Sequence, residues 1–422
     1  MKITEYPSLG EQAVRCCLEN GLQIILVPRQ GFQRKLAYFI TDYGSIHTDY
    51  LLDGREMTAP AGVAHFLEHK MFDMPGRDVS AEFATLGANV NAFTSYDMTA
   101  YYFTCTENFE ENLRLLIEFV STPYFTVESV AKEMGIIDQE IGMNADAPDT
   151  RVFEDLMEAM YHSHPIRVPI LGTCDTIRQI THQTLHDCHR AFYSPANMLL
   201  CVVGDVDAGK VVSIAREVLS SAPKTAGKKR RDWDEPMTVV QPLVRRKMEI
   251  AMPAFQLGFK CEPLGQGDAA IRQEILGDLA AEALFGESSQ LYLELYEQGI
   301  IDSSFGGGFE TIDGCAMLTC GGDSDNPEAV RDALLRQGER LVREGISRET
   351  FDRMKRSAMG RRVRDLDSFD STCFRMCAYA LSDFDYFRFP EIYAAIEAKD
   401  IVEFIARVVR QERCALSIIE PL

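Results

Sequence analysis

The sequence predicts an α+β protein made of two tandem, similar domains, and three observations carry that expectation. Short apolar runs of strand character alternate with stretches whose apolar residues recur at helical spacing, in both halves of the 422-residue chain. One half faintly repeats the other: Thr126-x-Glu128-x-Val130-x-Lys132 matches Ser347-x-Glu349-x-Phe351-x-Arg353 at a constant offset of 221. Residues 222–235 change character, with Pro223, Gly227, the basic run Lys228-Lys229-Arg230-Arg231, then Trp233 and Pro236, as a solvated surface linker would. The expected division is a domain at 1–222, a linker at 223–240 and a second domain at 241–422.

Each element has a local reason. Residues 21–27 (Leu22, Ile24, Ile25, Leu26, Val27) end at Pro28, residues 36–40 precede Gly44, and both read as buried strands. After Asp53-Gly54 and Pro60, a helix is expected from near Ala61. Pro75-Gly76 closes that segment, Asp78 or Ser80 caps the next helix, and Gly87 ends it. Residues 89–95 and 98–105 read as paired strands, the second rich in β-formers. Leu113, Leu116, Ile117 and Val120 keep helical spacing over 107–120 before Pro123. From Thr126 a long amphipathic helix carries Val130, Met134, Ile137 and Ile141 to residue 144. Helices follow at 151–161 and 176–192, then a buried strand at 199–203 and a helix to 221. The second half ends alike, Ile392 and Ile396 leading through a helix to a strand at 415–419.

Composition narrows the function classes. With 43 basic and 64 acidic residues the net charge is −21, which disfavours nucleic acid and anionic membrane as partners, because both require positive surface. No apolar run has the length of a membrane span and the first residues lack the apolar core of a signal peptide, so a cytoplasmic protein is expected. The 12 cysteines include no C-x-x-C pair and read as reduced thiols. Cys373 and Cys377 share a helical spacing, but as buried small apolar residues they require no metal.

One stretch has the spacing of a metal site, although an amphipathic helix with two ordinary polar histidines has the same spacing. His65-x-x-Glu68-His69 places three side chains on one helical face, where two imidazoles one turn apart reach a single zinc ion and the carboxylate lies beside it. A carboxylate is the natural third ligand. The helix after Thr126 offers Glu133 and Glu140, two turns apart on one face, with Glu140 flanked by Ile137 and Ile141. Spacing alone leaves open that both glutamates are simply exposed. His182, His186 and His189 form a competing histidine stripe without a suitably placed glutamate, and His162 and His164 read as a helix-end cap or loop contact.

The set His65-Phe66-Leu67-Glu68-His69, Lys132-Glu133-x6-Glu140-Ile141, Asn91-Ala92-Phe93-Thr94-Ser95 and Tyr193-Ser194-Pro195-Ala196-Asn197-Met198 resembles the pitrilysin/insulinase family of zinc peptidases, across essentially the whole chain. Within the family it is most similar to small two-domain bacterial members connected with elongation-factor-P modification, typically encoded as a pair. The resemblance implies a duplicated processing-peptidase-like (LuxS/MPP-like metallohydrolase) fold, each domain a mainly antiparallel sheet packed with helices. It implies one zinc ion held by His65, His69 and Glu140, Glu68 as general base, Glu133 supporting the metal site, and Asn91, Ala92 and Phe93 as the edge strand to which a peptide adds. Glu140 shifted by 221 is Arg361, so only the first half holds the metal. One departure matters: Tyr296 and Asp302 stand where active members carry an arginine and a tyrosine that grip the substrate. The expected function is a zinc metalloendopeptidase subunit acting on peptides or unfolded segments. A homologous partner chain would complete the site, in a heterodimer or a homodimer. The alternative is a non-catalytic scaffold or regulatory protein retaining structural zinc.

Overall fold

The computed structural model describes residues 1–222, 227–230 and 233–422; Pro223 and Arg231 of the expected linker lie outside the described residues. The chain forms two compact units, each built on one mixed, mainly antiparallel sheet. In the first, seven strands run in the order Lys2–Tyr6, Glu11–Cys17, Gln23–Pro28, Met198–Gly204, Lys35–Thr41, Thr99–Cys105 and Ala88–Thr94. Met198–Gly204 pairs parallel with Gln23–Pro28 and antiparallel with Lys35–Thr41. Its seven residues are all buried, because both faces of the sheet are covered there, and this is why it reads as an unbroken apolar run. Ala88–Thr94 lies at the sheet's edge with one strand neighbour.

The second unit repeats the last five strands in the same order: Leu243–Met248, Cys414–Pro421, Ala254–Cys261, Cys315–Asp323 and Gly306–Ile312. Its first pair is again parallel and the rest antiparallel. The 221-residue repeat seen in the sequence is therefore a repeat of structure, and the duplicated α+β expectation holds.

The units are not consecutive halves. One comprises Met1–Ile141, Pro169–Arg231 and Val363–Arg388; the other comprises Gly142–Val168, Asp232–Arg362 and Phe389–Leu422. A division at 222 and 241 misses this, because the halves trade equivalent helices. Pro148–Met160 packs on the second sheet, against Ala254–Cys261 and Cys414–Pro421, while Phe369–Leu381 packs on the first, against Met198–Gly204 and Lys35–Thr41. Shifted by 221, the first helix lands on the second end for end.

The described residues of the linker make specific contacts that its composition does not imply. Lys228–Lys229 adds a short strand to Asp49–Leu52, and the Lys229 ammonium, largely buried, pairs with Asp42 at 2.5 Å. Trp233 packs edge-on against His164, with ring centroids 4.4 Å apart. His164 accepts the Ile166 N–H and donates to the Asp313 carbonyl, the capping role expected of it. The helix expected at 176–192 is two, Cys174–Ile177 and His182–Phe192, because Thr173 and Thr181 each form a capping box that starts a new helix. Among the described residues no helix is long and apolar enough to cross a membrane.

Two glycines fix the helix that carries the His-x-x-Glu-His motif, Val63–Met71. Gly62 precedes it at φ +92°, a conformation L side chains rarely adopt, and an added Cβ there would lie 2.4 Å from the Leu171 carbonyl oxygen. Reciprocally, a Cβ on Gly172 (φ +71°) would lie 2.5 Å from the Ala61 carbonyl oxygen. Two backbone segments thus meet with no room for side chains and set where the helix begins. Gly62→Ala is expected to cost about 1–3 kcal/mol through backbone strain alone. It should lower zinc occupancy at limiting metal, measured by urea melts and metal analysis; an unchanged melt and unchanged occupancy would remove this role.

Candidate metal centre

The motif helix buries Val63, Ala64, Phe66, Leu67 and Met71 in the core of the first unit, which leaves the His65–Glu68–His69 face directed at the helix Val127–Ala145 and the edge strand. His65 and His69 stand with ring centroids 4.6 Å apart. Glu140 faces both: one carboxylate oxygen lies 3.6 Å from His65 Nε2 and the other 3.6 Å from His69 Nε2. The three donors lie within 4.8 Å of one another. Zinc bonds of about 2.0–2.1 Å in a tetrahedron separate ligand atoms by about 3.4 Å, so a zinc ion fits among these three with little adjustment. Two neutral imidazoles and one carboxylate also form a borderline-soft donor set suited to zinc.

Electrostatics treat the two imidazoles differently. Burial, reinforced by the neighbouring His69, pushes His65 down to about 4, so it stays neutral near pH 7. His69 is held above its ordinary value, first by its hydrogen bond to Glu133, against the opposing effect of burial. In that bond His69 Nδ1–H donates to Glu133 Oε1 at 2.9 Å, which fixes the ring and leaves Nε2 facing Glu140. His65 Nδ1 is buried and meets no such partner.

Glu68 sits beside this cluster. Burial raises its carboxyl above the ordinary range, and the Thr94 hydroxyl donates to Oε2 at 2.7 Å. Thr94 is the functional contact that sequence reading did not single out. The signal available was its place two residues after Ala92, on the same face of the edge strand. Asn91, Ala92 and Phe93 are on that edge strand as expected, but their side chains diverge. Phe93 turns to the opposite face, 6.1 Å from Phe374 and 6.3 Å from Tyr102, and Asn91 Oδ1 accepts the Ala92 N–H at 2.9 Å.

The competing histidines do not converge. His189 is buried, stacked on Tyr193 and bonded to the Val120 carbonyl, while His186 packs on Phe125. In the second unit Tyr296 is half exposed and stacks on Tyr292, and Asp302 accepts from the Ser304 N–H and hydroxyl.

A duplicated α+β fold with a histidine–glutamate donor set places this chain among metallopeptidase-like proteins. Residues 55–174 match the insulinase (peptidase family M16) model and residues 179–358 match the peptidase M16 inactive-domain model. An uncharacterized zinc protease of Bacillus subtilis, YmfH, is 36% identical over all of this chain and 99% of its own. The crystal structure of an M16-like peptidase from Alicyclobacillus acidocaldarius superposes with a TM-score of 0.94 at 31% identity, over 99% of this chain and 100% of that one. The periplasmic protease PqqL of Escherichia coli shares the fold at 20% identity and a TM-score of 0.74, over all of this chain and 48% of its own. The chain belongs to the M16 peptidase family, the pitrilysin/insulinase family of zinc proteases.

Glu133→Gln should weaken zinc binding about 10–100-fold, because a neutral amide no longer fixes the His69 ring as the carboxylate does. Chelator competition reads the change; equal affinity would leave Glu133 without a role at the metal.

Proposed function

We propose that this chain is the metal-bearing subunit of a zinc metalloendopeptidase that cleaves peptides or unfolded segments. The observation that carries the reading is the convergence of His65, His69 and Glu140 at zinc-compatible separations with Glu68 alongside. When bound there, zinc supplies a Lewis acid that acidifies water and polarises a peptide carbonyl. The protein's own groups do the rest. A substrate strand adds to Ala88–Thr94 through main-chain hydrogen bonds, which presents its carbonyl to the site in extended form. Glu68 takes the proton of the attacking water and returns it to the departing amine. Its burial raises the carboxyl toward the working pH, the direction that suits a group accepting and then giving up a proton. Thr94 holds the Glu68 oxygen that is not needed for that transfer. Glu133 keeps His69 oriented throughout.

The remaining need is a donor for the oxyanion beyond the metal. Loss of one such donor costs about 10²–10³ in rate. Tyr296 and Asp302, at the positions where the family's arginine and tyrosine stand, are engaged with Tyr292 and Ser304. We therefore assign the missing donors to a homologous partner chain, or to a second copy of this one. The same two residues favour a second reading, a scaffold that keeps zinc without turnover; the M16 model matched by residues 179–358 is itself named an inactive domain.

Mixing the chain with its encoded homologue and exposing both to an unbiased peptide library separates these readings. Cleavage by the mixture and little by either chain alone is expected. Full activity from the lone chain removes the partner requirement, and zinc without turnover in every pairing establishes the scaffold. Glu68→Gln should retain zinc and lose about 10²–10⁴ in kcat; a variant with undiminished kcat would exclude the base role. Thr94→Val should keep zinc and KM while lowering kcat about tenfold, the scale of one hydrogen bond to a charged group, and a change in KM alone would reassign Thr94 to binding.

A further inference from the structure

Nine of the twelve cysteines are buried, and all twelve are free thiols. Three of the buried ones behave differently from the rest. Cys201 lies at the centre of the strand Met198–Gly204, and Cys373 and Cys377 are one turn apart on the helix Phe369–Leu381 that packs across it. Their sulfurs lie within 4.8 Å of one another, and all three side chains are shut off from solvent. Among the described residues this is the only group of metal-capable side chains besides His65, His69 and Glu140. Filling a core with small apolar residues does not require three sulfurs to point at one spot from two elements 172 residues apart in sequence.

We propose that Cys201, Cys373 and Cys377 form a binding site for a soft monovalent d10 ion, Cu(I), which ties the exchanged helix to the central strand of the first sheet. Coordination number and donor softness both select this ion. Soft thiolate donors favour Cu(I), zinc or iron–sulfur clusters. Structural zinc is almost always four-coordinate and iron–sulfur clusters take four cysteines, whereas a closed set of three sulfurs without solvent access suits a trigonal Cu(I) ion. A monovalent ion also brings the least charge of the candidate metals into a low-dielectric core. Binding releases to solvent the proton of each thiol that becomes a thiolate ligand, and it changes no oxidation state.

The full chain, reduced and stripped of metal under anaerobic conditions, is titrated with Cu(I) against a Cu(I)-specific chelator, and copper X-ray absorption identifies the ligands. Expected are one tightly held equivalent, a first shell of three sulfurs, and a higher thermal midpoint for the loaded protein. Cys373→Ala should weaken that equivalent about a hundredfold, at least the scale of losing a supporting group, while Cys17→Ala at an exposed site leaves it unchanged. Nitrogen or oxygen ligands, equal affinity in Cys373→Ala, or no tight equivalent in the unaltered chain would each overturn the site. Preferential uptake of Zn(II) at the three sulfurs would overturn the choice of ion. Should Cys373→Ala fail to fold, the absorption spectrum and midpoint shift of the unaltered chain still decide the matter.

Discussion

The meeting of the motif helix with the helix Val127–Ala145 is the contact on which the site depends. A nine-residue helix is too short to persist alone; Val63–Met71 exists because its apolar face is buried and its start is locked between Gly62 and Leu171. That burial leaves two imidazoles turned toward the helix Val127–Ala145 with no charge of their own to offset a divalent cation. The second helix supplies the offset. Glu133 and Glu140 are seven residues apart, a rise of about 10.5 Å on one face. The spacing lets one carboxylate grip His69 from behind, at Nδ1, while the other spans both Nε2 atoms from the front. Neither carboxylate could do both.

Duplication explains why the molecule has one such site. The helix Arg348–Asp365 is the counterpart of Val127–Ala145, shifted by 221. Its residues at the two glutamate positions are Met354 and Arg361. Met354 is buried, and Arg361 pairs with Glu282 at 2.8 Å. An apolar side chain and a cation cannot hold zinc, so the second unit keeps the scaffold and has lost the donor set. What the halves retain in common is the exchanged helix, and the cysteine trio lies where that helix crosses the first sheet.

Much of this was legible locally. The shared helical face of His-x-x-Glu-His follows from spacing and the central strands from unbroken apolar runs. Spacing left the Glu133/Glu140 pair open, and only the family resemblance pointed it at the metal. Lys2–Tyr6 was not legible, because only one of its five residues is buried and an outer strand shows little alternation. Nor was the traded helix: periodicity reports that Phe369–Leu381 buries a face, not which sheet receives it. For the same reason Cys373 and Cys377 read as core filler until Cys201 was seen opposite them. Thr94 escaped because a hydroxyl on an edge strand acquires meaning only once the register puts it beside Glu68. Lys228–Lys229 misled in the other direction, since a basic run resembles solvated linker even when one of its ammonium groups is buried against Asp42.

The edge strand also bears on what the proposed peptidase accepts. An unpaired strand edge invites any extended chain, and here the Ala92 N–H is occupied by the Asn91 side chain. Displacing a neutral side-chain hydrogen bond costs about 1 kcal/mol, which a peptide recovers only by offering several main-chain bonds in register. A folded protein rarely presents a free, extended segment of that length, because its own strands are already paired. An unfolded segment does so at the cost of its chain entropy, about 1–2 kcal/mol per ordered residue. Selection for extended, unpaired substrate then follows from the backbone of Ala88–Thr94 itself. Side-chain pockets would refine the choice without having to create it.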